Sequence, residues 1–170
     1  MVEELAGAAR LAPSCFNNQP WRYVFVYEPE ALKNAKAALA KGNAWAQDAS
    51  MIIVVFSRKE DDCVIKERLF HQFDTGMGTA FLILRATEMG LVAHPIAGFD
   101  ERKMKEAVGI TEGIQVLTVV IVGRHSDAMT PNMSEDQKKN EVKRPERKRL
   151  EEFAFHNRYI PSQPEPAAPK

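Results

Sequence analysis

Only two cysteines, Cys15 and Cys63, occur in 170 residues. They are too few for a disulfide scaffold and fit a reducing compartment in which thiols stay free, so a cytoplasmic location is expected. An excess of either charge is also missing, since 23 Lys and Arg are matched by 23 Asp and Glu. Without a net field, nucleic acid or an anionic membrane would have to be held by a local patch. Long apolar runs are absent too. Met51 to Phe56 and Val116 to Val122 are the longest, strand-length segments far below the roughly 20 residues of a membrane span. Glu3 and Glu4 stand where an export signal would be basic, so no secretory leader is expected. No P-loop, GxGxxG, HExxH or Ser-His-Asp arrangement is found, which leaves kinase and hydrolase readings without support.

What is present is globular in character. Hydrophobic residues make up 45% of the chain and charged residues 27%, enough to bury one core. Leu5, Ala8, Ala9, Leu11 and Ala12 fall at near-helical spacing before Pro13, so a short helix leads into a loop. Trp21 to Tyr27 reads as a strand, and Pro29 opens an Ala- and Lys-rich helix to about Lys41. Met51 to Ser57 is uniformly apolar, the pattern of a central strand covered on both faces. Asp74 and Thr75 are placed to cap a helix that ends at Gly90, and its apolar positions Met77, Phe81, Leu82, Leu84 and Met89 wrap most of its circumference.

Leu91 to Phe99, holding His94, Pro95 and Gly98, is expected to be a loop and a candidate site. Asp100 caps a charged helix that stops at Gly109, and Val116 to Val122 supplies a further strand. Beyond Gly123 the composition turns polar and reads as an arm. Strands alternate with helices, which predicts a layered α/β or α+β sandwich, and the long buried helix argues against a simple doubly wound sheet.

The most informative stretch is Ala12-Pro13-Ser14-Cys15-Phe16-Asn17-Asn18-Gln19-Pro20-Trp21. Its pattern, Ala-Pro-Ser-Ser-x-Asn-x-Gln-Pro-Trp with Cys15 for the second serine, resembles the flavin-dependent nitroreductase family. Two further segments agree: His94-Pro95-Ile96-Ala97-Gly98-Phe99-Asp100, after a helix ending Glu88-Met89-Gly90-Leu91, and the strand before Gly123. The resemblance implies an α+β three-layer sandwich, with a central mostly antiparallel sheet inside helices, in a homodimer. It implies one FMN-binding domain over 1–160, with a C-terminal arm over about 124–160 that crosses to the partner subunit; the tail over 161–170, proline-rich and without periodicity, is expected to be disordered.

By the same resemblance, Ser14, Cys15 and Asn17 lie along the flavin's ribityl chain and ring edge, and Gln19 and Trp21 fix the loop. Pro95, Ile96, Ala97 and Gly98 pack on the opposite ring face, with a backbone N–H from Ala97 or Gly98 aimed at N5. Arg147, assisted by Lys148, reaches the phosphate. The implied activity is hydride transfer from NADH or NADPH through FMN to a nitroaromatic, quinone or similar acceptor, by a ping-pong scheme that needs no catalytic side chain and no metal.

Family members usually begin with a basic Arg-Arg-Ser-x-Arg segment and a helix that this sequence lacks. A shortened homologue serving as a non-catalytic flavin-binding or scaffold protein is therefore the alternative. Losing two phosphate cations would cost about 1.5 to 3 kcal/mol each. Cys15 also reads as a small packing residue, Cys63 has no evident role, and His94 reads as loop packing without a second ligand at metal spacing. Nucleic-acid binding by the tail's lysines and arginines ranks last, because Glu135, Asp136, Glu141 and Glu146 dilute them.

Overall fold

A computed structural model describes residues 1–143 and 145–160 of the chain. The expected disorder of 161–170 lies outside the described residues, as does Arg144. In chain order the elements are α1 (Val2–Ala9), β1 (Arg22–Val26), α2 (Pro29–Lys36), β2 (Met51–Ser57), β3 (Val64–Ile65), β4 (Arg68–Leu69), α3 (Phe70–Glu88), β5 (Leu91–Ile96), α4 (Glu101–Val108), β6 (Gln115–Arg124) and α5 (Glu135–Val142). Two compact units result, Met1–Met133 and the residues from Ser134 on.

The first unit is built around β2. Its apolar run lies inside a four-stranded sheet of order β1-β2-β6-β5, with every neighbouring pair antiparallel. Side chains alternate between the two faces of a strand. Ile52 and Val54 therefore join Leu32, Ala35 and Met104 in the core beneath α2 and α4. Met51, Ile53 and Val55 join Leu5, Ala9, Leu82 and Ala86 beneath α1 and α3. The fold is thus α+β, three-layered and antiparallel, as the resemblance implied. Each fully buried Ile or Val contributes about 1.5–3 kcal/mol, which is why β2 carries no polar residue before Ser57. Among the described residues no helix is long and apolar enough to cross a membrane.

Two expectations are corrected. Leu91 to Ile96 is the strand β5 and not a loop, pairing His94 with Ile121 and Pro95 with Val120. Pro95 is tolerated because β5 is an edge strand, with one neighbour calling on its amides. The long helix also starts at Phe70, four residues before Asp74. The β3–β4 hairpin, turning at Lys66 with φ 59°, delivers Leu69 to the helix as its N-cap. Asp74 is freed from capping and faces the Ser14–Gln19 loop.

The circumference of α3 is apolar, but only one face is covered. Thr75, Leu82 and Ala86 are buried, whereas Phe73 and Leu84 are 64% and 60% exposed. Asp100 caps α4 by accepting from the Lys103 amide, and Gly109 ends it in the left-handed region, as expected. The second unit holds α5, capped reciprocally by Ser134 and Gln137, then a turn over Leu150–Glu152 and a Phe155–Tyr159 edge-to-face ring pair.

Candidate functional site

The loop between α1 and β1 is held in a conformation that few side chains favour. Phe16, Asn17 and Gln19 all take positive φ, at 46°, 58° and 51°. Non-glycine residues in the left-handed region cost about 1–3 kcal/mol each and persist where their surroundings over-determine them. Here the bracing is visible. The Gln19 amide donates to Ser14 Oγ at 2.9 Å, and Gln19 Nε2 donates to the Asn17 carbonyl at 3.2 Å. Arg22 Nη1 donates to the Gln19 carbonyl at 3.0 Å, and Asn18 Nδ2 donates to Asp62 Oδ1 at 3.3 Å.

Cys15 and Cys63 do not stay free. They form a disulfide across 48 sequence positions, with Cα atoms 6.0 Å apart, inside the ordinary range for such a bridge. Sequence separation concealed it, because neither cysteine has a neighbour that marks the other. Cys15, Asp62 and Cys63 bring possible metal-ligand atoms within 4.8 Å of one another, but both sulfurs are engaged in the bridge.

Beneath the loop lie two carboxyl groups. The Cys15 amide donates to Asp74 Oδ2 at 2.6 Å, and Asp74 is 2% exposed. Burial pushes the Asp74 carboxyl above its ordinary range; the Cys15 amide opposes that shift and the facing Asp62 carboxylate adds to it. Asp62 Oδ2 is buried with no hydrogen-bond partner among the described residues.

The second candidate segment joins β5 to α4. Ile96 is buried in the α2–α4 core and its carbonyl accepts from Thr118 Oγ1 at 2.9 Å, so its side chain is committed to packing. Ala97 is exposed, while the Gly98 carbonyl accepts from the Ala40 amide at 3.0 Å and from Asn43 Nδ2 at 2.9 Å. A Cβ on Gly98 would run into Asn43 Nδ2. That close approach is the structural reason for glycine here.

Pro95 faces the other way, into a cavity of about 500 Å³ between α3 and the sheet. This is within the range of about 300–1,000 Å³ usual for small-molecule sites. Val55, Ile83, Pro95 and Leu117 form apolar walls, Thr75, Thr79 and Thr118 supply hydroxyls, and no charged residue lines the space. Thr79 Oγ1 donates to the Thr75 carbonyl at 2.7 Å and lies 3.3 Å from the Tyr23 hydroxyl. Burial raises the Tyr23 hydroxyl to about 12, so it stays protonated at neutral pH. Thr75 is fully buried, and its Oγ1 has no partner among the described residues. A buried hydroxyl without a partner is costly.

No hydrogen bond among the described residues links Ser14, Cys15, Asn17 or Gln19 to Pro95, Ile96, Ala97 or Gly98. Arg147 and Lys148 belong to the second unit, where both are exposed and no ion pair among the described residues engages them. Sequence reasoning missed Thr75, Thr79, Asp62 and Cys63. The i, i+4 spacing of Thr75 and Thr79 was a usable signal, since it puts two hydroxyls on one helix face; the carboxyl pair left none.

Known proteins share both the sequence and this architecture. The model of the nitroreductase family matches residues 36–124, from the end of α2 to the end of β6. An uncharacterized 15.4 kDa protein of Mycolicibacterium smegmatis is 30% identical over 76% of this chain and 85% of its own length. A putative NADH dehydrogenase/NAD(P)H nitroreductase of Archaeoglobus fulgidus is 30% identical over 74% of this chain and 73% of its own. A crystal structure described as an oxidoreductase containing FMN superposes with a TM-score of 0.78 and 29% identity, covering 92% of this chain and 80% of that one. With the family model spanning more than half of the chain and laid over the sheet that carries Pro95 and Thr118, this chain belongs to the nitroreductase family.

Proposed function

We propose that the chain is an FMN-dependent NAD(P)H oxidoreductase of nitroreductase type, acting on nitroaromatic, quinone or similar small acceptors. The observation that carries this reading is the uncharged cavity beside Pro95, walled by Val55, Ile83 and Leu117 and by the threonines Thr75, Thr79 and Thr118. Apolar walls with a few hydroxyls suit a neutral planar ring system. The FMN of the 29% identical oxidoreductase structure and the NAD(P)H nitroreductase name of the Archaeoglobus relative support the same assignment. FMN, when bound, would supply two-electron chemistry between NAD(P)H and the acceptor.

The chain's own residues bind and orient. Pro95 and Leu117 would exclude water from the ring, Thr75 would turn its unpartnered hydroxyl toward a ring-edge heteroatom, and the exposed Ala97 and half-buried Gly98 would present backbone to it. Ser14, Asn17 and Gln19 would line the cofactor from the strained loop. Cys15 offers neither its thiol nor its amide, since the bridge and Asp74 occupy them. Arg147 and Lys148, both without an ion-pair partner, would neutralise the phosphate. The lining hydroxyls and amides titrate far from neutrality, so they position reactants and no side chain is assigned as acid or base. Reductant and acceptor would use one cavity in turn, the ping-pong scheme.

A homodimer is part of the proposal. The uncovered Phe73, Phe81 and Leu84 on α3 and the exposed Phe153, Tyr159 and Ile160 support it, with the C-terminal segment exchanged between subunits. A cytoplasmic setting belongs to the same reading.

The test is visible absorbance of the purified protein after incubation with FMN and desalting, followed by anaerobic addition of NADH or NADPH. Retained yellow colour that bleaches with the nucleotide is expected. A colourless protein overturns the proposal and favours a scaffold role. Thr75→Val, which removes one hydrogen bond at constant shape, should weaken FMN binding about two- to tenfold.

A further inference from the structure

The Cys15–Cys63 bridge joins two segments distant in sequence: the strained Ser14–Gln19 loop and the turn that leads into the β3–β4 hairpin. Both cysteines are half-buried and neither is sealed in the core. Around the bridge, Asn18 Nδ2 donates to Asp62 Oδ1 and, at 3.6 Å, to Cys63 Sγ. Asp74 holds the Cys15 amide from below. Three positive-φ residues, Phe16, Asn17 and Gln19, lie within four positions of Cys15. A covalent tether at the start of such a loop over-determines a backbone that local preference would relax.

We infer that Cys15–Cys63 is a reversible oxidation site that latches this loop, and that a dithiol reductant opens it. The chemistry balances as thiol–disulfide exchange. One thiolate of the reductant attacks Cys15 Sγ and the Sγ–Sγ bond breaks. Cys63 leaves as a thiolate, steadied by the Asn18 amide, and takes up a proton. The reductant's second thiolate then displaces Cys15, which is protonated in turn. Two electrons and two protons pass to the pair, and the reductant departs as its own disulfide. The reverse exchange, with a disulfide as oxidant, closes the latch. In a reducing compartment a bridge of this kind is transient and serves sensing. Opened, the loop loses its tether while keeping the Asp74 and Ser14 hydrogen bonds, so it loosens locally and the sheet beneath is undisturbed.

The consequence for cofactor retention rests on the proposed role of this loop in FMN binding, and the experiment separates the two. The full chain is oxidised, then reduced with dithiothreitol; free thiols are counted, amide exchange of residues 14–19 is followed by mass spectrometry, and FMN affinity is read by fluorescence in both states. The oxidised chain should show no free thiol and the reduced chain two. Loop exchange should accelerate by about tenfold or more on reduction, while β2 and β6 stay protected. FMN affinity should fall by about tenfold or more. Cys63→Ser should exchange fast with or without dithiothreitol; if that variant fails to fold, the reduced wild type makes the same measurement without a substitution. Free thiols in the oxidised chain, or equal loop exchange in the two states, overturn the latch whatever FMN does. Faster exchange with equal FMN affinity overturns its control of the cofactor site. If neither state binds FMN, the cofactor role of the loop fails and the latch is judged on exchange alone.

Discussion

Asp74 shows how one buried group sets the chemistry of its surroundings. A free aspartate loses its proton near about pH 3.9, and burial holds the Asp74 proton to higher pH. The folded chain then keeps a proton that the unfolded chain has shed. The stability this confers is complete on the acid side of the unfolded value and is lost as pH rises through the folded titration of Asp74. Asparagine mimics the protonated form, since its carbonyl can accept from the Cys15 amide and its amide can donate to Asp62 Oδ2. Asp74→Asn should therefore gain in melting temperature relative to wild type as pH rises from the unfolded value through the folded titration of Asp74. A gap that narrows with rising pH would contradict the upward shift of Asp74.

Among the elements, α3 is held closest to the sheet where it lacks side-chain bulk. A Cβ on Gly78 would lie 2.9 Å from the Tyr23 hydroxyl and 3.3 Å from Trp21. The Tyr23 hydroxyl is itself fixed against Thr79, so it has little room to give. Gly78→Ala should cost about 1–3 kcal/mol through overpacking, outweighing the roughly 1 kcal/mol that alanine gains over glycine in a helix. Denaturant unfolding measures it, and a stabilised variant would refute this packing.

The strongest elements were readable in the sequence. β2 was found to the residue because burial on both faces writes a continuous apolar run, and α4 because Asp100 and Gly109 mark its ends. The helix α5 was overlooked although Ser134 and Gln137 spell a capping box, since its polar face gave no periodicity. The start of α3 was misjudged because Asp74 has the residue type of a cap, and its true partner, the Cys15 amide, lies 59 positions away. β5 was read as a loop because Pro95 looks like a breaker until its edge position is known.

On the scale of the whole molecule, the first unit covers the sheet well but leaves one side of α3 bare. Phe73, Phe81 and Leu84 are 64%, 40% and 60% exposed, and a contiguous apolar patch on a helix face marks an interaction surface. Leu84→Glu should shift the protein toward monomer in sedimentation velocity and lower FMN retention with it. A variant that stays dimeric and yellow would move the interface elsewhere. Of the candidate site, the loop motif and the Pro-Ile-Ala-Gly segment, whose Pro95 lines the cavity, were marked in the sequence as expectations. Its carboxyl pair, its bridge and its orphaned hydroxyl were not, because each depends on residues that only folding brings together.

The proline in β5 has one more effect. An unpaired strand edge invites strands from other molecules, and proteins blunt such edges to stay dispersed. A chain arriving beside β5 would meet the Pro95 ring where it needs an amide, so that border of the sheet resists cross-molecular zippering. Replacing it with valine would leave a smooth template, and the first sign of that change would be turbidity at high concentration.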